Sequence, residues 1–247
     1  LKVSSAHPQY KKTLLTIGFL YQKMGQGEKA VAFLEDHHKN NPKDIDIISY
    51  LATFYEQQGR LEKAMDLLAK GLADAPENTS LLFRLGAIQD KAGKKEACIA
   101  TMKEIIRIDP DDASALNYLG YTYADLGIHL DQAHALIKKA LKIKPDDGYI
   151  TDSMGWVYYK KQKYEKAVLY LEKAAALTAY ESIIASHLAD AYVKTGRLSQ
   201  ALAVYHRALV NAKEEDTDLV LELEAKIKDL EQQLILPDTR KEQQPAQ

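Results

Sequence analysis

The sequence predicts an all-α solenoid of stacked helical hairpins, on three observations: prolines recur at a fixed interval, small residues recur in phase with them, and apolar residues between them are spaced by three or four. Pro8, Pro42, Pro76 and Pro110 are spaced by 34 residues, and Pro145 follows after 35. A period between roughly 20 and 50 residues marks a repeat architecture, in which each unit is too small to bury its own apolar face and must share it with its neighbours.

Units that begin three residues after each proline start at Lys11, Ile45, Thr79, Ala113 and Gly148, with Ser182 by extrapolation; the fourth carries one extra residue. The first half of each unit is an amphipathic helix, as Leu14, Ile17 and Tyr21, and again Ile48, Leu51 and Tyr55, lie on one stripe. Its eighth position reads Gly18, Ala52, Gly86, Gly120, Gly155 and Ala189, small residues that let two helix backbones approach. Its eleventh reads Tyr21, Tyr55, Gln89, Tyr123, Tyr158 and Tyr192, with Gln89 the outlier. Gly25, Gly59, Gly93, Gly127 and Gly196 then end the helix in a left-handed cap; the fifth unit has Gln162 there, which predicts a less relaxed turn. The second helix has its own small slot, filled by Ala30, Ala64, Cys98, Ala133, Ala167 and Ala201. Acidic pairs after the repeat-ending prolines, Asp111 with Asp112 and Asp146 with Asp147, suit the positive end of the next helix.

Residues 1–10 read as the end of a truncated preceding repeat, because Pro8 is in phase, and residues 11–215 as six units. Residues 216–236 carry Leu219, Leu223, Ile227, Leu230 and Leu234 among charges, one more amphipathic helix; a capping helix is favoured over a coiled-coil dimer, because solenoids need a polar outer face at their ends. The polar residues 237–247 read as a disordered tail.

Leu116, Leu119, Gly120, Tyr123, Ala133, Ile137, Ala140 and Pro145 carry a pattern that resembles the tetratricopeptide repeat (TPR) family, departing from it at Ile137, where the family has an aromatic. The resemblance covers residues 11–215. It implies a right-handed superhelix whose concave surface is made mainly by the first helix of each pair. The stretches from Asp146 to Ala167 and from Ser186 to Arg197 are similar to large repeat proteins of the bacterial envelope, some of them lipoproteins. That likeness implies a scaffold in the periplasm or associated with the outer membrane.

Composition narrows the function. Net charge is −2, with no basic block, so the phosphate attraction that dominates nucleic-acid affinity has no source. No apolar run approaches the roughly 20 residues of a membrane span. A single cysteine, Cys98, makes no internal disulfide, and its place in the helix–helix slot reads as packing. His37 and His38 are adjacent, point to different sides of a helix and read as surface histidines. Nucleotide-cradle, nucleophile-elbow and zinc-site motifs are missing from the sequence, which therefore predicts no enzyme, no cofactor and no metal site.

By the family resemblance, positions two, five, nine and twelve of each first helix face the groove. Aromatic and polar groups gather there in units three to five, and the candidate partner-binding residues are Phe83, Asn117, Tyr121, Asp152, Trp156, Tyr159 and Asp190. Large aromatics of this kind carry binding hot spots, although Trp156 in a solenoid is also read as packing between adjacent repeats. A chaperone-tail receptor is rejected: the first unit offers Leu15 and Phe19 where that branch of the family has a carboxylate clamp, and Arg84 alone does not make one. The leading reading is a non-catalytic scaffold that takes a protein or peptide segment in its groove, for assembly of a bacterial envelope complex. Self-association through the N-terminal end or the helix at 216–236 is the alternative, and a third reading is the recognition arm of an enzyme whose catalytic domain lies elsewhere.

Overall fold

The computed structural model describes residues 10–213 and 216–235, so the readings of residues 1–9 as a repeat end and of 237–247 as a tail lie outside the described residues. Thirteen α-helices and no strands are found among the described residues. They are α1 (Tyr10–Lys23), α2 (Gly27–Asn40), α3 (Ile45–Gln57), α4 (Leu61–Asp74), α5 (Thr79–Lys91), α6 (Lys95–Ile108), α7 (Ala113–Asp125), α8 (Leu130–Ile143), α9 (Gly148–Lys160), α10 (Tyr164–Leu177), α11 (Ser182–Lys194), α12 (Leu198–Asn211) and α13 (Thr217–Ile235).

Short polar side chains start the first helix of several hairpins by satisfying amides that the helix itself leaves open. Asp44 accepts from the Asp46 and Ile47 amides at 3.0 and 3.3 Å, Asn78 from Leu81 at 2.9 Å, Asp112 from Ala115 at 2.9 Å, and Asp147 from Tyr149 and Ile150 at 2.9 and 3.1 Å. Of the two acidic pairs, then, Asp112 and Asp147 are the caps. The glycines that end the first helices have φ between +70° and +74°, where a Cβ is strained; Gln162 is forced into the same region at φ 58°. The extra residue of the fourth hairpin sits in the α7–α8 turn, where His129 adopts φ 48° and α8 starts at Leu130.

The chain divides into two units, one running to Ala115 and one from Leu116 onward. In the first, Leu34, Ile48, Leu51, Leu68, Leu81 and Ile88 form a core with almost no exposure, each contributing about 1.5–3 kcal/mol by leaving water. Gln89, the departure from the tyrosine pattern, is accommodated because its side-chain oxygen accepts from the Thr101 hydroxyl at 2.8 Å. Cys98 is fully buried, and burial, then Asp90, push its thiol up to about 11. The adjacent histidines differ from the surface reading: both are half-buried, with the Phe33 ring 4.6 Å from that of His37. His38 lines a pocket together with Lys63, Asp66, Leu67 and Lys70 of α4.

In the second unit, Leu171, Ile184, Leu188, Tyr192 and Tyr205 continue into Leu223, Ile227 and Leu230 of α13, so the last helix completes the core of the last hairpin. The α10–α11 connection lacks the proline of earlier repeats, and Ala179 and Tyr180 are both left-handed, at φ 52° and 62°. Helix α12 holds this strained link: Asn211 Nδ2 donates to the Tyr180 carbonyl at 2.6 Å, and the Arg207 guanidinium lies 3.5 Å over the Tyr180 ring.

Candidate functional site

Six of the seven sequence-predicted residues lie in the second unit, on the first helices α7, α9 and α11; Phe83 lies on α5 in the first unit, half-buried. Tyr121, Asp152 and Trp156 are brought together through a residue the sequence reading did not single out. His187, one place beyond the fifth position of α11, puts Nδ1 at 2.9 and 3.1 Å from the two carboxylate oxygens of Asp152 on α9. Both side chains are buried. Burial alone would lower the His187 pKa, but the Asp152 carboxylate, through its charge and its hydrogen bond, outweighs burial and leaves it raised; Asp190 adds to the rise and Lys226 opposes it.

Trp156 is only 9% exposed and lies between two rings. Its centroid is 4.1 Å from that of His187 with the planes 17° apart, and 4.7 Å from that of Tyr159 at 5°. The indole therefore offers neither face to a partner, and packing describes its position. Lys160 lies 5.0 Å from the indole centroid and donates to the Asp125 carbonyl at 2.9 Å, which ties α9 to the end of α7. Tyr121 is half-buried, its ring 6.4 Å from that of His187. Tyr159 is half-buried as well, its phenol pushed up to about 12 by burial, then by Asp190.

Asp190 joins α11 to the two helices behind it. Lys226 of α13 donates to its oxygens at 2.9 and 3.0 Å, and the Tyr205 hydroxyl of α12 donates to the same carboxylate. Burial, then Asp190, raises the Tyr205 pKa. Two polar atoms of the row, Asn117 Oδ1 and Trp156 Nε1, are buried with no hydrogen-bond partner among the described residues, each at a cost of about 1–3 kcal/mol.

Both contacts of His187 with Asp152 are made by Nδ1, and the Trp156 ring lies against the imidazole plane, so the pair locks α9 to α11. Among the described residues no group of three or more His, Cys, Asp or Glu could hold a metal ion, and no helix is long and apolar enough to cross a membrane.

Family models described as tetratricopeptide repeat match residues 55–120 and 153–216. The TPR repeat-containing protein PA4667 of Pseudomonas aeruginosa is 40% identical over 80 residues, which are 32% of this chain and 13% of that protein, so the chain spans a small part of its relative. Among solved structures, a tetratricopeptide repeat protein from Parabacteroides merdae superposes with a TM-score of 0.70 at 17% identity, covering 89% of this chain and 86% of that one. The APC/C hetero-tetramer Cut9-Hcn1 gives 0.70 at 16% identity over 88% of this chain and 44% of the other, and MamA 0.55 at 23% over 69% and 93%. The repeat matches, the Pseudomonas relative and the shared all-helical repeat fold establish that the chain belongs to the tetratricopeptide repeat family.

Proposed function

We propose that the row formed by Asn117, Tyr121, Asp152, Trp156, Tyr159 and Asp190 is the floor of a groove that holds an extended or helical segment of another protein. The coarser statement is secure: the fold is that of a protein-interaction scaffold, and such repeats are generally non-catalytic. The observation that carries the finer one is preorganisation. The three-ring stack and the buried Asp152–His187 pair fix the backbones and rotamers of α9 and α11 before any partner arrives, which lowers the entropic cost of binding. Contact then falls to half-exposed Tyr121 and Tyr159, with Trp156 acting beneath them as a support. Phe83 would extend the same kind of surface in the first unit. Assembly of a bacterial envelope complex is the setting that the resemblances in α9–α11 suggest; the Pseudomonas relative is itself bacterial.

Comparative cross-linking capture from the source cell tests this, using the wild-type chain and a Tyr121→Ala, Tyr159→Ala variant of equal helicity. A specific protein held by the wild type and lost by the variant is the expected result. Identical capture by both would move the binding face elsewhere. Light scattering over a concentration series separates the alternative: a concentration-dependent dimer that the double variant abolishes would make self-association the better reading.

A further inference from the structure

Tyr55 and Tyr192 occupy the eleventh position of their repeats, and each donates its hydroxyl to a glutamate on the second helix of the preceding hairpin: Tyr55 to Glu35 at 2.5 Å and Tyr192 to Glu172 at 2.7 Å. Counted by the repeat period, with the extra residue of the fourth hairpin, that acceptor position reads Glu35, Ala69, Lys103, Lys138 and Glu172. Tyr158 is the tyrosine of the α8–α9 junction, and its position-matched residue is Lys138. A cation has replaced the acceptor, and the Tyr158 hydroxyl instead meets His134 Nε2 at 3.2 Å.

Around this substitution is a cavity of ≈ 380 Å³, walled by His134, Lys138, Lys142, Tyr158 and Tyr170 over a floor of Met154. No carboxylate lines it. The matching cavity in the first unit, at Tyr55, contains Glu35 and Asp66 beside its lysines. Lys138 and Lys142 stand one turn apart on α8, and neither has an ion-pair partner among the described residues. Acidic groups on α8 itself and on α10 are taken: Asp131 of α8 by Lys161, and Glu165 and Glu172 of α10 by Arg197 and by Tyr192. Lys166 lies over the Tyr158 ring at 5.8 Å and adds to the positive rim. Burial, then Lys161 and Lys138, lowers the His134 pKa, against an opposing pull from Asp131.

We propose that this cavity is a docking site for an acidic segment of a partner protein, whose Asp or Glu carboxylate accepts from Tyr158 and pairs with Lys138 and Lys142. The incoming carboxylate occupies the role that Glu35 and Glu172 fill at their own junctions. An apolar side chain beside it packs on Met154 and on the stacked pair Tyr158 and Tyr170, whose rings are 5.3 Å apart. The site shares no residue with the row on α7, α9 and α11 and stands whether or not that row binds a partner.

Fluorescence anisotropy of a labelled, end-capped glutamate hexapeptide with the full chain tests it. Lys138→Glu installs the residue found at the matching positions 35 and 172, so it keeps the fold, gives Tyr158 an internal acceptor and weakens binding about tenfold or more, as charge reversal in a docking contact does. Lys138→Ala, which removes the charge without adding one, weakens binding in the same direction and guards against a folding failure of the first variant. A glutamine hexapeptide binds neither protein measurably. Equal binding of the glutamate peptide by wild type and both variants, no binding by the wild type, or displacement of the peptide by equimolar inorganic phosphate overturns the proposal.

Discussion

Gly155 and Gly18 occupy the same position in their repeats, and the structure predicts that adding one methyl group has opposite effects at the two. A Cβ on Gly155 would stand 2.6 Å from Leu171 Cγ, 2.8 Å from its Cδ2 and 3.3 Å from its backbone nitrogen. Leu171 is fully buried, and the atom met first is near its backbone, so α10 itself has to move. Such overpacking costs about 1–3 kcal/mol, while replacing a helical glycine with alanine returns about 1 kcal/mol, leaving Gly155→Ala destabilised by up to about 2 kcal/mol. At Gly18 the nearest atoms are Phe54 ring carbons at 3.4 Å and Leu34 Cδ1 at 3.6 Å, ordinary contact distances. Gly18→Ala keeps the propensity gain and is stabilised by about 0.5–1 kcal/mol. Urea unfolding followed by circular dichroism reads both, and fluorescence of Trp156, the only tryptophan, reads the second unit. A Gly155→Ala midpoint at or above the wild type, or a lowered midpoint for Gly18→Ala, would refute this account of helix packing.

Three further outcomes are expected. Because the folded His187 pKa is raised above the ordinary value of about 6.5, its pair with Asp152 contributes stability below that pH and loses it as pH rises through the folded pKa. The thermal midpoint should therefore fall as pH rises above about 6.5, and His187→Gln should remove that part of the slope; a variant with the wild-type slope would disprove the assignment. Gln162→Gly relieves the left-handed turn between α9 and α10 and should raise the denaturant midpoint, by about 0.5–1 kcal/mol; no change would mean that Gln162 is unstrained at φ 58°. Lys226→Met strips Asp190 of its cation and should speed amide exchange in α13 while leaving α8 unchanged, and uniform exchange across both would mean that the contact does not hold the last helix.

The fold was legible because its signals repeat. Small residues at the helix–helix slot and glycines at the turns recur in phase, and the geometry behind each is local: a close approach, or a positive φ. Leu223, Ile227 and Leu230 were likewise readable as the buried stripe of a last helix. The site was legible only in outline. Asp152, Trp156, Tyr159 and Asp190 belong to one connected cluster, but the residue that joins the first two, His187, lies one place off the row that the resemblance singles out. A buried carboxylate at Asp152 needs a cation, which was the available signal, since no basic residue lies nearby on its own helix face. That Trp156 is covered on both sides depends on the rotamers of two neighbours on different helices, which no spacing encodes. The substitution at Lys138 was visible in the sequence, but it acquires meaning only when Tyr55 and Tyr192 are seen donating to glutamates at the same place.

The most direct test of the central claim is photo-cross-linking in the source cell from a benzoyl-phenylalanine placed at Tyr121, compared with one at Leu169, which is 66% exposed on α10. The account predicts a discrete cross-link to a different protein from position 121 and none to that protein from position 169. The same adduct from both positions, or adducts from 121 that contain only another copy of this chain, would contradict it.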